Sequence, residues 1–145
     1  MKQLFKSFLI IFVILFLIYY WFLYIDIKEK CVFVLVPTFQ PSNLSTKETI
    51  NFLKESSAEE YKNLCIHVSA INKNPACGGF DGGCYEPNKT RTIYVGNDQN
   101  NIALAAAILV HETCHAIQGQ KGLPLAEGEC YAAGSHYLNS ITDLY

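Results

Sequence analysis

The sequence predicts an α+β domain carried behind one transmembrane helix, and three observations carry that expectation. An apolar run fills the N-terminal region, short segments rich in β-branched residues occupy the middle, and two helical segments bounded by glycine and proline close the chain. The expected order is an anchor helix, a first domain helix, a short sheet with a hairpin, a histidine-bearing helix and an acidic helix after it. The 145 residues leave room for one domain, and a net charge of −2 shows no basic excess of the kind nucleic-acid binding needs, so no nucleic acid is expected. Residues 1–30 are read as the transmembrane anchor and its flank, 31–44 as a stalk, and 45–145 as the folded domain.

From residue 8 to residue 25 the chain reads FLIIFVILFLIYYWFLYI, without a charge. As a helix this run would cover about 27 Å of a hydrocarbon core about 30 Å thick. Tyr19, Tyr20, Trp21 and Tyr24 crowd its C-terminal end, where amphipathic rings favour the headgroup region. A cleaved signal peptide is the competing reading. The run exceeds an ordinary signal-peptide core, and DIKEKC after it offers no small-x-small cleavage site, so an uncleaved anchor is expected. Lys28 and Lys30 balance Lys2 and Lys6, so charge does not set the orientation. Cysteines at 31, 65, 77, 84, 114 and 130 favour an oxidising compartment, hence a single-pass protein with its domain outside the cytoplasm. Cys77 and Cys84 flank a glycine-rich stretch and form the expected local pair.

Residues 31–36 read as a strand and 37–43 as the connection into the domain. Ser45 with Glu48 three residues on has the pattern of a capping box, and Ile50 and Leu53 mark the buried stripe of the helix it opens. A second short helix is expected over 58–64 and a strand over 65–71, where β-branched residues alternate; His67 within it is read as a packing or surface residue. Residues 84–86 and 91–95 form the expected hairpin around Pro87-Asn88-Lys89-Thr90. Asn100 or Asn101 then caps a helix over 102–117, Gly119, Gly122 and Pro124 break it, and a last helix covers 125–139.

The chemistry concentrates in His111-Glu112-Thr113-Cys114-His115. Residues four apart on a helix lie roughly 40° apart around its axis, so the two histidines point the same way, one turn above the other. Two imidazoles so placed can grip one ion, and Zn2+ suits imidazole nitrogen; a hydrolytic site takes three protein ligands and leaves a fourth position for water. Glu112 borders such a site without ligating and is placed to move the water's proton. The bland alternative is a chance arrangement on a solvent-facing helix. The third ligand is Glu127 or Glu129; the two lie roughly 200° apart on a helix, so only one can face the metal. His136, nine residues beyond Glu127, falls on the opposite face.

Glu127-Gly128-Glu129-Cys130-Tyr131-Ala132-Ala133-Gly134 resembles the E-x-E-A-D-x-x-G helix of gluzincin metallopeptidases. The resemblance covers the C-terminal half of the chain. It implies a small zincin-like core, with Glu127 as third zinc ligand beside His111 and His115, and Glu112 as general base and acid in peptide-bond hydrolysis. Gly134 matches the glycine, Cys130 stands where alanine is usual, and Tyr131 departs from an aspartate that supports a zinc-bound histidine. A second resemblance, to the mitochondrial metallopeptidases that process an ATP synthase subunit, aligns Gly78-Gly79-Phe80-Asp81 and Glu129-Cys130-Tyr131-Ala132-Ala133 and would make Glu129 the ligand.

Residues 91–95 resemble the edge strand on which such enzymes lay an extended peptide or protein substrate. Cys114 and Cys130 sit on the two helices that must pack to assemble the site, and a disulfide between them is expected. The alternative function, of a different class, is a membrane-tethered metal-binding or interaction domain without turnover, favoured by Tyr131 and by the small size of the domain.

Overall fold

The computed structural model describes residues 2–38, 44–73, 82–96 and 101–142. The apolar run forms helix α1 (Lys2–Phe22), which passes without a linker into strand β1 (Leu23–Asp26); a tight turn returns the chain as β2 (Cys31–Val36), antiparallel to it. The Asp26 carboxylate accepts from the backbone N–H groups of Lys28 at 3.1 Å and Glu29 at 3.3 Å, which fixes that turn. The sheet therefore begins at residue 23, ahead of the boundary at residue 45 expected from sequence. Residues 23–25 leave the expected span, and residues 31–36 leave the expected stalk. The cause is a period of two. Cys31, Phe33 and Leu35 point into the core while Val32, Val34 and Val36 point out, an alternation that suits a half-covered sheet.

Two helices follow, α2 (Thr46–Ser56) and α3 (Ala58–His67). Glu48 accepts from the Ser45 N–H at 3.3 Å at the start of the first, and the Ser57 hydroxyl accepts from the Glu60 N–H at 3.3 Å at the start of the second. The strand expected over 65–71 is displaced, because helix α3 continues to His67. Tyr61 and Leu64 are buried at a spacing of three on the helix, a helical stripe that outweighs the local alternation, and Val68, extended at the C-cap, is buried after them. A disulfide from Cys31 to Cys65 ties β2 to this helix.

Strands β3 (Ala70–Lys73), β4 (Gly83–Tyr85) and β5 (Thr92–Val95) complete a mixed sheet of order β1-β2-β3-β5-β4. β2, β3 and β5 run parallel, and the two outer strands are antiparallel to their neighbours. The expected hairpin is present as β4 and β5. Among the described residues the edge strands are β1 and β4, however, and not residues 91–95: β5 is flanked on both sides.

Helix α4 (Ile102–Gln120) crosses the covered face of the sheet, and α5 (Glu127–Thr142) packs on α4. Phe33, Ile50, Leu53, Leu64, Ile71, Ile93 and Leu109 are fully buried between the sheet and these helices. Each such side chain contributes on the order of 1.5–3 kcal/mol by leaving water. By length and composition α4 could cross a membrane, but most of it is buried within the protein, so it serves as the core helix. In α1 the opposite holds, with every large apolar side chain from Phe8 to Phe22 exposed.

Gly119 lies within α4 instead of ending it. A Cβ there would lie 2.9 Å from the ring of Tyr85, so the position is small for packing. The helix stops at Gly122, whose φ of 65° glycine adopts at little cost.

Candidate metal centre

Asn101 opens α4, its side-chain oxygen accepting from the N–H groups of Ala103 at 2.8 Å and Leu104 at 3.2 Å. Small residues at Ala105, Ala106 and Ala107 let the helix lie close to its neighbours, and Gly134 does the same for α5. A Cβ on Gly134 would stand 3.2 Å from the Ala107 carbonyl oxygen and 3.6 Å from the His111 Cβ. This close approach brings the first turn of α5 over the last turns of α4.

His111, His115 and Glu127 converge there. The Nε2 atoms of the two histidines are 3.2 Å apart, and Glu127 Oε2 stands 3.2 Å from His115 Nε2 and 3.5 Å from His111 Nε2. Among the described residues these three form the group able to hold a metal ion. Their spacing tests the fit directly. Tetrahedral ligands about 2.05 Å from a zinc ion are about 3.3 Å apart, which is the edge length of this triangle. Two imidazole lone pairs directed at each other beside a carboxylate also need a cation or a proton between them. The donor set, two imidazole nitrogens and one carboxylate oxygen, suits a divalent transition-metal ion, zinc among them.

Of the two competing glutamates, Glu127 faces the histidines. Glu129 Oε2 instead accepts from Gln118 Nε2 at 2.9 Å. Gln118, which sequence reasoning passed over, is buried and its Oε1 stands 3.1 Å from His115 Nδ1. Its position three residues past the second histidine, on a neighbouring part of the same helical face, was the available signal.

Tyr131 packs edge-on against His111, with ring centroids 4.7 Å apart. The residue that departs from the gluzincin pattern thus touches His111 with its ring. Glu112 is buried, with Oε1 4.0 Å from His111 Nε2, and its side chain lies against Gly83 of the edge strand. A Cβ on Gly83 would come within 2.9 Å of the Glu112 Cδ, so a side chain there would displace the carboxylate.

The remaining sequence candidates fall elsewhere. His67 ends α3 and its Nδ1 pairs with Gln120 Oε1 at 2.9 Å, while His136 is exposed on α5. Cys114 and Cys130 are joined by a disulfide, as expected. Cys84 is disulfide-bonded, and its expected partner Cys77 lies outside the described residues, as do Gly78, Gly79, Phe80 and Asp81 of the second resemblance.

Beside His111 and Glu112 a cavity of about 120 Å³ opens between α4 and α5, walled by Leu104, Ala107, Ile108, Tyr131 and Leu138. No protein-family model matches the chain, and comparison with the curated proteins and with the solved structures found no match.

Proposed function

We propose that this protein is a membrane-anchored zinc metallopeptidase with a zincin-like core, cleaving peptide or protein substrates internally. The observation that carries the proposal is the triangle of His111, His115 and Glu127, with edges of 3.2, 3.2 and 3.5 Å. Zinc held there would polarise a water molecule and the scissile carbonyl. Glu112, buried beside the triangle, accepts the proton that the attacking water loses and delivers it to the departing amine nitrogen. Burial in a largely apolar surround strengthens that exchange by keeping bulk water from competing for the carboxylate.

β4 is the last strand of the sheet, and its Gly83 touches Glu112. An extended peptide adding to that edge by main-chain pairing would run its carbonyls past the carboxylate. The cavity between α4 and α5 then takes one apolar side chain, being slightly smaller than an engineered cavity of about 150 Å³ that holds benzene.

Helix α1 serves as the single-pass anchor, its exposed apolar surface finding lipid where it would otherwise meet water. Lys47 of α2 caps its C-terminal end, donating to the Tyr20 carbonyl at 2.7 Å and the Tyr19 carbonyl at 3.2 Å while lying 5.5 Å from the centre of the Tyr19 ring. A cation and aromatic rings at one level suit the headgroup region. The disulfides of the domain favour its placement outside the cytoplasm.

The test uses full-length protein in detergent with an unfolded protein substrate. Glu112→Gln should lower hydrolysis by roughly 10²-fold or more while zinc stays bound. Equal turnover by wild type and variant would overturn the proposal. Zinc retention with no turnover in wild type would favour a tethered metal-binding domain.

A further inference from the structure

We propose that Gln118 is a positioning residue that dictates which nitrogen of His115 faces the metal and, through the same amide, where Glu127 stands. The inference rests on the metal-site reading above. Gln118 is buried at 4% exposure on the last turn of α4. Its side-chain amide meets four partners. Oε1 accepts from the Ala126 backbone N–H at 3.1 Å and lies 3.1 Å from His115 Nδ1, while Nε2 donates to Glu129 Oε2 at 2.9 Å and to the Ala126 carbonyl at 3.4 Å.

These partners settle the orientation of the amide. A backbone N–H can only donate and a carboxylate or carbonyl oxygen only accept, so a flipped amide would set a donor against the Ala126 N–H and an acceptor against two oxygens. Oxygen therefore faces His115. Two consequences follow for the ring. Nδ1 must carry the hydrogen in order to donate to Oε1, and Nε2 keeps its lone pair, directed at His111 and Glu127, where a metal would sit.

The second effect is on α5. The N–H groups of Glu129 and Cys130 donate to the Ala126 carbonyl at 3.1 and 3.4 Å, so Ala126 is where that helix starts. Because Gln118 grips both the N–H and the carbonyl of Ala126, it fixes the phase at which α5 leaves the connecting loop. That phase decides that Glu127, and not Glu129, meets the histidines; Glu129 in turn holds the amide. The hydrogen bond that orients the His115 ring thus comes from α4 itself, through a neutral amide. The ring at 131 is left to pack on His111.

The experiment reads the tautomer and the metal affinity. Long-range proton–nitrogen NMR of the His115 ring, in full-length protein in detergent with and without zinc, should show the hydrogen on Nδ1. An Nε2–H tautomer in the metal-free neutral ring overturns the proposal without any variant. Chelator competition should find zinc bound 10–100-fold more weakly by Gln118→Met, which keeps length and loses every hydrogen bond, and within about threefold of wild type in the exchanged pair Q118E/E129Q. That pair keeps an oxygen on His115 Nδ1 and restores a donor between the two side chains. Unchanged affinity in Gln118→Met, or equal loss in Gln118→Met and the exchanged pair, overturns the positioning role. Should Gln118→Met fail to fold by circular dichroism, the tautomer decides. Failure of wild type to bind zinc would sink the metal reading, yet the tautomer of the metal-free ring would still judge Gln118.

Discussion

At the scale of single residues, His111, Glu112 and His115 were legible because their relation is local: a spacing of four on a helix fixes two rings on one face without knowledge of the fold. Glu127 and Glu129 could not be separated in the same way, since their choice depends on where α5 begins, and that is set by Gln118 across a turn of chain. A second buried polar cluster, at the opposite edge of the sheet, gave no sequence signal at all. Asp26 meets the Lys54 ammonium at 2.5 Å and accepts from the Tyr61 hydroxyl at 2.8 Å, and Tyr24 donates to Asn51 at 2.9 Å beside it. The hydrogen bond from Lys54, then that from Tyr61, holds the Asp26 carboxyl at a pKa of about 2. Burial pushes the Tyr61 hydroxyl well above the ordinary tyrosine range, so it stays a donor. An ordinary unfolded aspartate titrates near about 3.9, so the ionised cluster stabilises the fold fully above that pH and ceases to do so as the pH falls to about 2. Denaturant midpoints measured from pH 5 to pH 2 should fall for wild type more than for Asp26→Asn. Parallel curves would show that the cluster adds nothing.

Among the elements, the helices were the most readable and the strands the least. Asn101 capping, the alanine run and the paired histidines all mark α4, and its extension through Gly119 escaped notice only because the small residue answers to Tyr85. β1 was hidden because Leu23-Tyr24-Ile25 continues an apolar run, and hydrophobicity alone does not separate the end of a spanning helix from a buried strand. The disulfide between Cys114 and Cys130 was legible once both cysteines were placed on packed helices. It closes a loop with a sequence separation of 16, directly across the helix pair that carries all three candidate ligands. A loop of about 15 residues corresponds to roughly 3 kcal/mol of unfolded-state entropy. The double variant Cys114→Ser, Cys130→Ser should lose about 2–4 kcal/mol in urea unfolding, with zinc affinity falling alongside because the ligand helices are freed. Stability and zinc affinity both equal to wild type would remove the bond from the account.

For the whole molecule, the sheet order sets α1 and the candidate metal centre far apart. α1 leads into β1 at one edge, and Glu112 lies against β4 at the other, four strand spacings or about 19 Å away. The α+β class and the position of the site near the C-terminus were readable from composition and motif. The mixed topology was not, because it depends on long-range pairing such as β2 with β3 and β3 with β5, which no local pattern encodes. Gathering residues 23–36 into the sheet leaves no spare chain between α1 and the domain, so the domain is held against the end of that helix by Lys47 and by the β1–β2 pair. Everything proposed about catalysis stands on the metal. The most direct test is the zinc content of purified full-length protein beside Glu127→Ala and Glu129→Ala. One equivalent in wild type, with zinc lost from the Glu127 variant and largely kept by the Glu129 variant, is the predicted result. Less than half an equivalent in wild type, or loss confined to the Glu129 variant, would contradict it.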